Sequence, residues 1–426
     1  MSKPSNDYFY IFNEIVSIVR NDYAGHVEKR GWDQPDYFRS QLQYLSDSGK
    51  LDSESFFELV NTYLLDVQDK HLLLLKTGEK RPPRTPGFTV RRYQNQLIVT
   101  NVSQEKRLEP GMKITALDGS DILTVAQDKQ KMLRAEQAER ENWMNVLSES
   151  RVCTVEHFDK SFELTLNTYA AQTPKSEYVF KMISSDIAYL RFTDCLDVQR
   201  ISNLIRENQK VLDQSRGLIV DIRLNRGGND AAFADLLPYV FPLDTSLNID
   251  GALHYVTERN WRNRNKQIQK LLDSAHHPEE RAVLELYLKE VRAIIDRGFQ
   301  EISLGTTQEV SIQGRELPRH VVLLIDSFCA SSGEQFALMA ADSPKVQLMG
   351  RPTAGALDFA NVTYEEFEEI NMALMYPTSK SVRILRGKGI DNLGVQPHVY
   401  TPWTPQHLEK DIDLDTAIHW LRQKNS

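Results

Sequence analysis

Ser331, Ser332 and Glu334 form the stretch of this sequence whose residue types could do chemistry. An unbroken apolar run of β-forming residues at 321–325 precedes it and predicts a strand that is buried on both faces. Residues 335–341 follow with helix formers at helical spacing. Ser331 would then lie at the carboxyl edge of a sheet, beside the free N–H groups of a helix start, where a nucleophile can act. The alternative is that Ser331 or Ser332 only caps the helix, with Glu334 completing a capping box.

A serine nucleophile needs a base and an acid that orients the base, and two further stretches carry such side chains. His71 follows Asp69 and Lys70 at a predicted helix-to-strand junction, where a side chain can point into a cleft. Asp391 lies beside glycines in a turn late in the chain. The alternatives are a purely structural histidine and a simple Asp-Asn turn.

Gly227 and Gly228 follow a second predicted buried strand, at residues 217–222. Glycines between a strand and a helix expose backbone N–H groups that can hold an oxyanion or a phosphate. The structural alternative is only a tight turn. The glycine-rich motifs that bind phosphates are absent from this stretch. Arg223 and Asn225 are predicted to brace the loop.

The composition excludes several classes of protein. The chain has 426 residues, of which 41% are hydrophobic and 26% charged, as in ordinary globular proteins. Its net charge of −8 argues against nucleic acids and anionic membranes as partners. The three cysteines form neither a disulfide framework nor a zinc spacing, and no cofactor or metal motif occurs, so we expect no cofactor and no metal. The first residues lack a signal-peptide pattern and no long apolar run follows, which predicts a cytoplasmic protein without membrane contacts.

Hydrophobic periodicity divides the chain into three predicted regions, and the fold class is α/β. Residues 1–80 are a helical region that carries His71. Residues 88–170 contain short strands separated by turn signals, as in a small β module, and the strands expected are 97–99, 113–117 and 162–166. Residues 176–426 alternate strands with helices and contain a polar helical insertion at 256–300. The helices expected between the strands of this region include 201–212 and 231–240.

Together these stretches resemble the S41 serine peptidases, the C-terminal processing and tricorn-type family. The sequence GLIVDIRLNRGG at 217–228 is similar to the family pattern D-x-R-x-N-x-G-G. The sequence VLLIDSFCASSGE at 322–334 is similar to its nucleophile segment S-A-S-A-S-E, and the serine three residues before the glutamate is Ser331. Residues 350–355 and 394–397 resemble the later G-x-x-T-x-G and G-[IV]-x-P-D patterns.

The resemblance also implies an architecture. Residues 97–121 look like a degenerate PDZ module. The fold implied is a ClpP/crotonase-like α/β core with a helical N-terminal region and a degenerate PDZ-like module. Because His71 would come from a different region than Ser331, activity would depend on the docking of the regions.

Departures from the family pattern indicate the mechanism. The processing branch uses a Ser-Lys dyad, but Ala356 stands where its lysine would be. The tricorn-like branch uses a histidine from a D-x-H stretch, which residues 69–71 resemble, and a glutamate that Asp391 replaces here. The resemblance therefore implies Ser331 as nucleophile, His71 as general base and Asp391 as the residue that orients the base.

The oxyanion would be held by backbone N–H groups of Gly227 or Gly228 and of Ser332. The function implied is a serine endopeptidase that hydrolyses peptides or unfolded proteins through an acyl-enzyme on Ser331, and assembly into a homo-oligomer is left open. Two alternatives remain: a non-catalytic S41-fold protein that binds a peptide or another ligand, and an acyl transferase or esterase that uses the same oxyanion hole.

Overall fold

The computed structural model describes residues 4–78, 84–135, 137–243, 245–275, 277–302 and 309–425. It shows a mixed helix and sheet fold, consistent with the predicted class. The chain divides into two compact units, each built from three separate stretches. The first unit comprises Met1–Glu79, Asn248–Val310 and Ala356–Asp391, and the second comprises Lys80–Leu247, Ser311–Gly355 and Asn392–Ser426.

The first unit contains a five-stranded antiparallel sheet. Strand Met372–Ser381 is central and pairs with Phe359–Phe367, Leu73–Lys76 and Ala252–Tyr255, and the last of these pairs with Phe299–Glu301. The apolar helix faces that the sequence predicts are buried in one cluster with side chains of this sheet. The helices of this unit are Pro4–Asn21, Pro35–Asp47, Ser53–Leu65, Glu258–Ser274, Pro278–Ala293 and Val382–Leu385, with a 3₁₀ turn at Glu368–Ile370.

A six-stranded sheet forms the core of the second unit. Only its first pair of strands is antiparallel, and the later pairs are parallel. The carboxyl ends of neighbouring parallel strands meet at one edge, which brings the loops after the third and fourth strands together. In spatial order the strands are Tyr178–Met182, Ile187–Phe192, Gly217–Asp221, His320–Ile325, Val346–Gly350 and Val399–Tyr400.

The helices of the second unit differ from the predicted ones in continuity. The helix expected at 201–212 is interrupted at Asn208, and the one expected from Ala231 to Val240 begins as a 3₁₀ turn. The helices around the six-stranded sheet are Val198–Glu207, Gln209–Leu212, Leu237–Val240, Ser332–Ala341 and Ile412–Asn425, with 3₁₀ turns at Asp230–Leu236 and Pro405–Leu408.

A further sheet in this unit is antiparallel and has its own apolar core. Its strands are Phe88–Tyr93, Gln96–Val102, Lys113–Leu117, Ser120–Asp121, Val152–His157 and Lys160–Thr165, and its helical turns are Ile122–Asp128, Gln130–Leu133, Ala138–Arg140 and Met144–Glu149. Short strand pairs join Arg84–Thr85 with Tyr169–Ala170 and Thr245–Asn248 with Glu309–Ile312. The PDZ-like and ClpP/crotonase-like classifications and the boundaries 1–80, 88–170 and 176–426 stay predictions. Within the described residues, no helix combines the length and the apolar character that crossing a bilayer requires.

Candidate active site

Ser331 lies where the sequence predicts it, between a buried strand and a helix. Strand His320–Ile325 and helix Ser332–Ala341 are separated by the six residues 326–331, and Ser331 is the last of them. Ser331 has φ +54° and ψ −121°, a backbone conformation that non-glycine residues rarely adopt. Such conformations cost on the order of 1–3 kcal/mol and persist where the surrounding structure holds them. The side chain at this turn is therefore held in one place, as a nucleophile requires.

Glu334 connects the turn of Ser331 to residues 353–355, in addition to capping the helix. Its side chain is fully buried, and its Oε2 accepts a hydrogen bond from the Ser331 N–H at 3.1 Å. Its Oε1 accepts from the Thr353 hydroxyl at 2.6 Å and from the Gly355 N–H at 2.5 Å. The sequence pattern predicts only a capping role for Glu334. The signal for the wider role was the Thr-x-Gly pattern of residues 353–355.

Gly227 comes so close to Ser331 that only a glycine fits. A Cβ atom on Gly227 would lie 2.6 Å from the Ser331 Cβ and 3.1 Å from its Oγ. Gly227 also has φ +86°, which glycine adopts without steric cost. Asn225 braces this loop as predicted, because its side chain accepts from the Gly227 N–H at 2.9 Å and donates to the Phe192 carbonyl at 3.3 Å.

The backbone N–H groups predicted to hold an oxyanion differ in whether they already donate a hydrogen bond within the protein. The Gly227 N–H is donated to Asn225, whereas the N–H groups of Gly228 and Ser332 have no acceptor within the described part of the chain. The Ser332 hydroxyl donates to the Gly228 carbonyl at 3.0 Å, which ties the two loops together beside Ser331. Two backbone donors thus remain near the hydroxyl.

A buried ion network anchors the start of the nucleophile turn. Asp326, the first residue after the strand, accepts from Arg91 at 2.7 Å and from Arg351 at 2.8 Å and 3.0 Å. Arg351 also donates to Asp413 at 3.0 Å and 2.5 Å. Arg223 braces the same edge, as predicted, through ion pairs with Asp413 and other aspartates. The turn that carries Ser331 therefore starts from a rigid position.

His71 belongs to the first unit and lies, as predicted, between helix Ser53–Leu65 and strand Leu73–Lys76. Its Nδ1 is 3.0 Å from the Phe359 carbonyl oxygen. A carbonyl can only accept, so this contact requires the tautomer with hydrogen on Nδ1 and leaves Nε2 as the basic nitrogen. Asp69 fixes the backbone of this turn, because its Oδ1 accepts from the His71 N–H at 2.8 Å and its Oδ2 from the Tyr23 hydroxyl at 2.5 Å.

Asp391 is in the same unit as His71, and a lysine pairs with its carboxylate. The Lys29 ammonium is 2.8 Å from the Asp391 Oδ2. Burial, together with nearby Asp69 and Asp358, raises the pKa of Asp391 to about 6 against the attraction of Lys29. Asp358 also fixes the turn, because its Oδ2 accepts from the Asp391 N–H at 2.8 Å. The Phe359 carbonyl and Lys29 were not found from the sequence, which carries no local sign of either contact.

All three cysteines are buried thiols, and we expect them to be inert. Burial raises the pKa of Cys195 to about 11 and of Cys153 to about 12, and burial together with Glu334 raises that of Cys329 well above its ordinary value. Iodoacetamide at pH 8 is expected to modify each at least ~10-fold more slowly than free cysteine, because the thiolate is the reacting form. Intact mass with and without urea tests this, and rapid labelling of the folded protein contradicts it.

The predicted site residues thus form two groups. Ser331, Ser332, Gly227 and Gly228 lie together in the second unit, and His71 and Asp391 lie in the first. Within the described residues, no group of three His, Cys, Asp or Glu side chains is placed to hold a metal ion.

Comparison with known proteins identifies the family. The sequence model of peptidase family S41 matches residues 186–401, which is just over half of the chain and includes the turn of Ser331. The chain belongs to peptidase family S41. Membership of S41 supports a peptidase. The matched residues include strands of the parallel sheet in the second unit.

Solved structures show the same fold as this S41 chain at low identity. Mature CPAF complexed with lactacystin has a TM-score of 0.66 and 14% identity, over 99% of this chain and 97% of that chain. Mature CPAF in a second structure has a TM-score of 0.66 and 13% identity, over 98% and 97%. A protein of Parabacteroides merdae ATCC 43184 has a TM-score of 0.51 and 14% identity, over 99% and 97%. No curated protein matches the chain.

Proposed function

We propose that this S41 peptidase is a serine endopeptidase that forms an acyl-enzyme on Ser331. The observation that carries the proposal is the conformation of Ser331, held at φ +54° between strand and helix in the segment that the family match includes. A strained strand-to-helix turn is how hydrolases present a serine hydroxyl at a sheet edge. Gly227 supports the role, because its missing side chain leaves room beside the hydroxyl.

His71 is the general base of the proposed reaction. With hydrogen on Nδ1, its Nε2 accepts the Ser331 proton as Oγ attacks the peptide carbonyl, and then returns that proton to the leaving amine. Water attacks the acyl-enzyme by the same route and releases the second product. The Phe359 carbonyl orients the His71 ring. Asp391, which is paired with Lys29, is proposed to stabilise this orientation of the ring indirectly.

The N–H groups of Gly228 and Ser332 stabilise the oxyanion in this proposal. Each such donor is typically worth about 3 kcal/mol in the transition state. Gly227 is not one of these donors, because its N–H is donated to Asn225. Its contribution is that it has no side chain and so leaves space beside the Ser331 hydroxyl. The substrates proposed are peptides or unfolded proteins, and the cytoplasmic location stays a prediction.

Labelling with a fluorophosphonate probe tests the proposal. We expect one adduct per wild-type chain by intact mass, and no adduct on Ser331→Ala, because the hydroxyl is the reacting group. His71→Ala should label at least ~100-fold more slowly, since a positioned base contributes 10²–10⁴-fold. The exposed Ser40→Ala variant is the matched control and should label as wild type.

The outcomes separate the candidate functions. Labelling together with cleavage of an unfolded protein supports the endopeptidase. Labelling with turnover of esters but not of peptides supports the esterase alternative. A folded wild-type protein that takes up no probe contradicts the proposal and favours the non-catalytic binding protein.

A further inference from the structure

Lys29 is a buried lysine with three contacts that converge on the surroundings of His71. It lies between helices Pro4–Asn21 and Pro35–Asp47 and is only 6% exposed. Its ammonium is 2.8 Å from the Asp391 carboxylate and donates to the Gln68 carbonyl at 3.0 Å. It also lies 4.9 Å from the centroid of the Phe359 ring. A buried ammonium requires such compensation, because burial without partners is costly.

Two of these contacts belong to residues next to the histidine, and the third is with its predicted orienting acid. Gln68 lies three residues before His71 and has φ +54°, so the turn into the histidine is strained and needs a restraint. Phe359 supplies the carbonyl that accepts from the His71 Nδ1. Asp391 is the predicted orienting acid. One ammonium therefore connects the turn before the base, the acceptor of the base and the acid.

Asp391 lies near other carboxylates, and the Lys29 ammonium offsets their repulsion. Asp69, from the turn before His71, and Asp358, from the approach to strand Phe359–Phe367, both raise the pKa of Asp391. The Tyr23 hydroxyl is donated to Asp69, and Arg383 is 3.3 Å from Asp358. Lys29 contacts Asp391 directly and brings a positive charge into this group of carboxylates.

We propose that Lys29 is a positioning residue for His71, holding Gln68, Phe359 and Asp391 in the arrangement that keeps Nδ1 on the carbonyl and Nε2 free to take a proton. This inference rests on the proposed function, in which His71 is the base. Lys29 acts through the neighbours of the histidine and does not take part in the proton transfer.

Lys29→Met removes the charge at similar side-chain length, and Lys29→Arg keeps it. In Lys29→Met we expect kcat for peptide hydrolysis and the rate of fluorophosphonate labelling to fall ~10–100-fold, with KM within ~3-fold, because ring orientation affects the chemical step. The acid limb of the pH–rate profile should move to higher pH, because Asp391 without its cation stays protonated to higher pH. Lys29→Arg should recover at least half of the loss on a logarithmic scale.

Lys380→Met is the matched control, because Lys380 is also buried in this unit and pairs with a carboxylate, Glu28, at 2.5 Å. Its rates, corrected for the folded fraction, should match wild type. If Lys29→Met and Lys380→Met lower the rates equally and leave the pH profile unchanged, Lys29 is only structural and the inference is wrong.

A measurement without activity separates this inference from the proposed function. ¹⁵N-histidine NMR, with His71 assigned by His71→Gln, reports which ring nitrogen carries hydrogen. We expect the Nδ1–H tautomer in wild type and in Lys380→Met, and a mixture in Lys29→Met. If wild type takes up no probe but the tautomer depends on Lys29, the proposed function fails and the positioning role stands. An Nδ1–H tautomer that survives in Lys29→Met overturns the positioning role whatever the activity.

Discussion

Gly227→Ala is expected to lower the rate of fluorophosphonate labelling and of peptide hydrolysis at least ~100-fold, since a displacement of about 1 Å in a catalytic group can cost that much. The new Cβ would lie 2.6 Å from the Ser331 Cβ, a distance that real Cβ atoms essentially never show, and 3.1 Å from the Ala330 carbonyl oxygen, which is tighter than most real Cβ contacts. Either the serine or the glycine loop must move. The loop also carries the N–H of Gly228, so this proposed oxyanion donor would move with it.

Gly119→Ala is the matched control for this variant. Gly119 is in the same unit and has φ +82°, close to the φ of +86° at Gly227, but a Cβ atom there meets nothing within 4 Å. Both substitutions should cost about 1–2 kcal/mol of stability for the left-handed backbone. Only Gly227→Ala should lose activity beyond its folded fraction. Equal activity of the two folded variants contradicts the proposal that the Ser331 hydroxyl, which Gly227 approaches closely, is the reacting group.

Asp326→Ala is expected to lower the free energy of unfolding of the second unit by about 3–5 kcal/mol, as the loss of one partner of a buried ion pair typically does. Asp326 is 4% exposed and accepts from Arg91 and Arg351. Its loss leaves buried guanidinium groups short of one carboxylate. Urea denaturation at pH 7 measures the change. Glu149→Ala, which breaks the exposed pair with Lys129, is the control and should cost at most about 1 kcal/mol.

The cost of Asp326→Ala should depend on pH. Burial would raise the pKa of Asp326, but Arg91 and Arg351 outweigh it and hold the pKa below its ordinary value. A carboxyl whose pKa is lower in the folded state adds stability above its unfolded pKa of about 4, and this contribution disappears as the pH falls through the folded pKa. The difference between wild type and Asp326→Ala should therefore shrink below about pH 4. A difference that stays constant down to pH 2 contradicts a charge-based role.

Local pattern was enough to predict much of the second unit. The apolar run at 321–325 is a buried strand, and Lys113–Leu117 is the strand expected at those residues. These elements follow from contacts between residues a few positions apart, which periodicity reports directly. Helix continuity was harder to predict. The helix expected at 201–212 is interrupted at Asn208, whose side chain donates to the Leu204 carbonyl at 2.8 Å and so competes with the backbone hydrogen bonds of the helix.

The residues of the candidate site also fall into those that local sequence predicted and those that it did not. Ser331, Glu334 and the glycine pair were recognisable because each lies within a short segment whose order resembles a family pattern. The acceptor of His71 was not, since Phe359 is 288 residues away and contributes a backbone carbonyl that every residue has. The Lys29 pair with Asp391 was equally hidden, because a lysine in a turn gives no sign that it will be buried. Sequence thus identified the chemical groups and their local elements, whereas the partners that orient and charge-balance them depend on the path of the folded chain, which brings distant segments together.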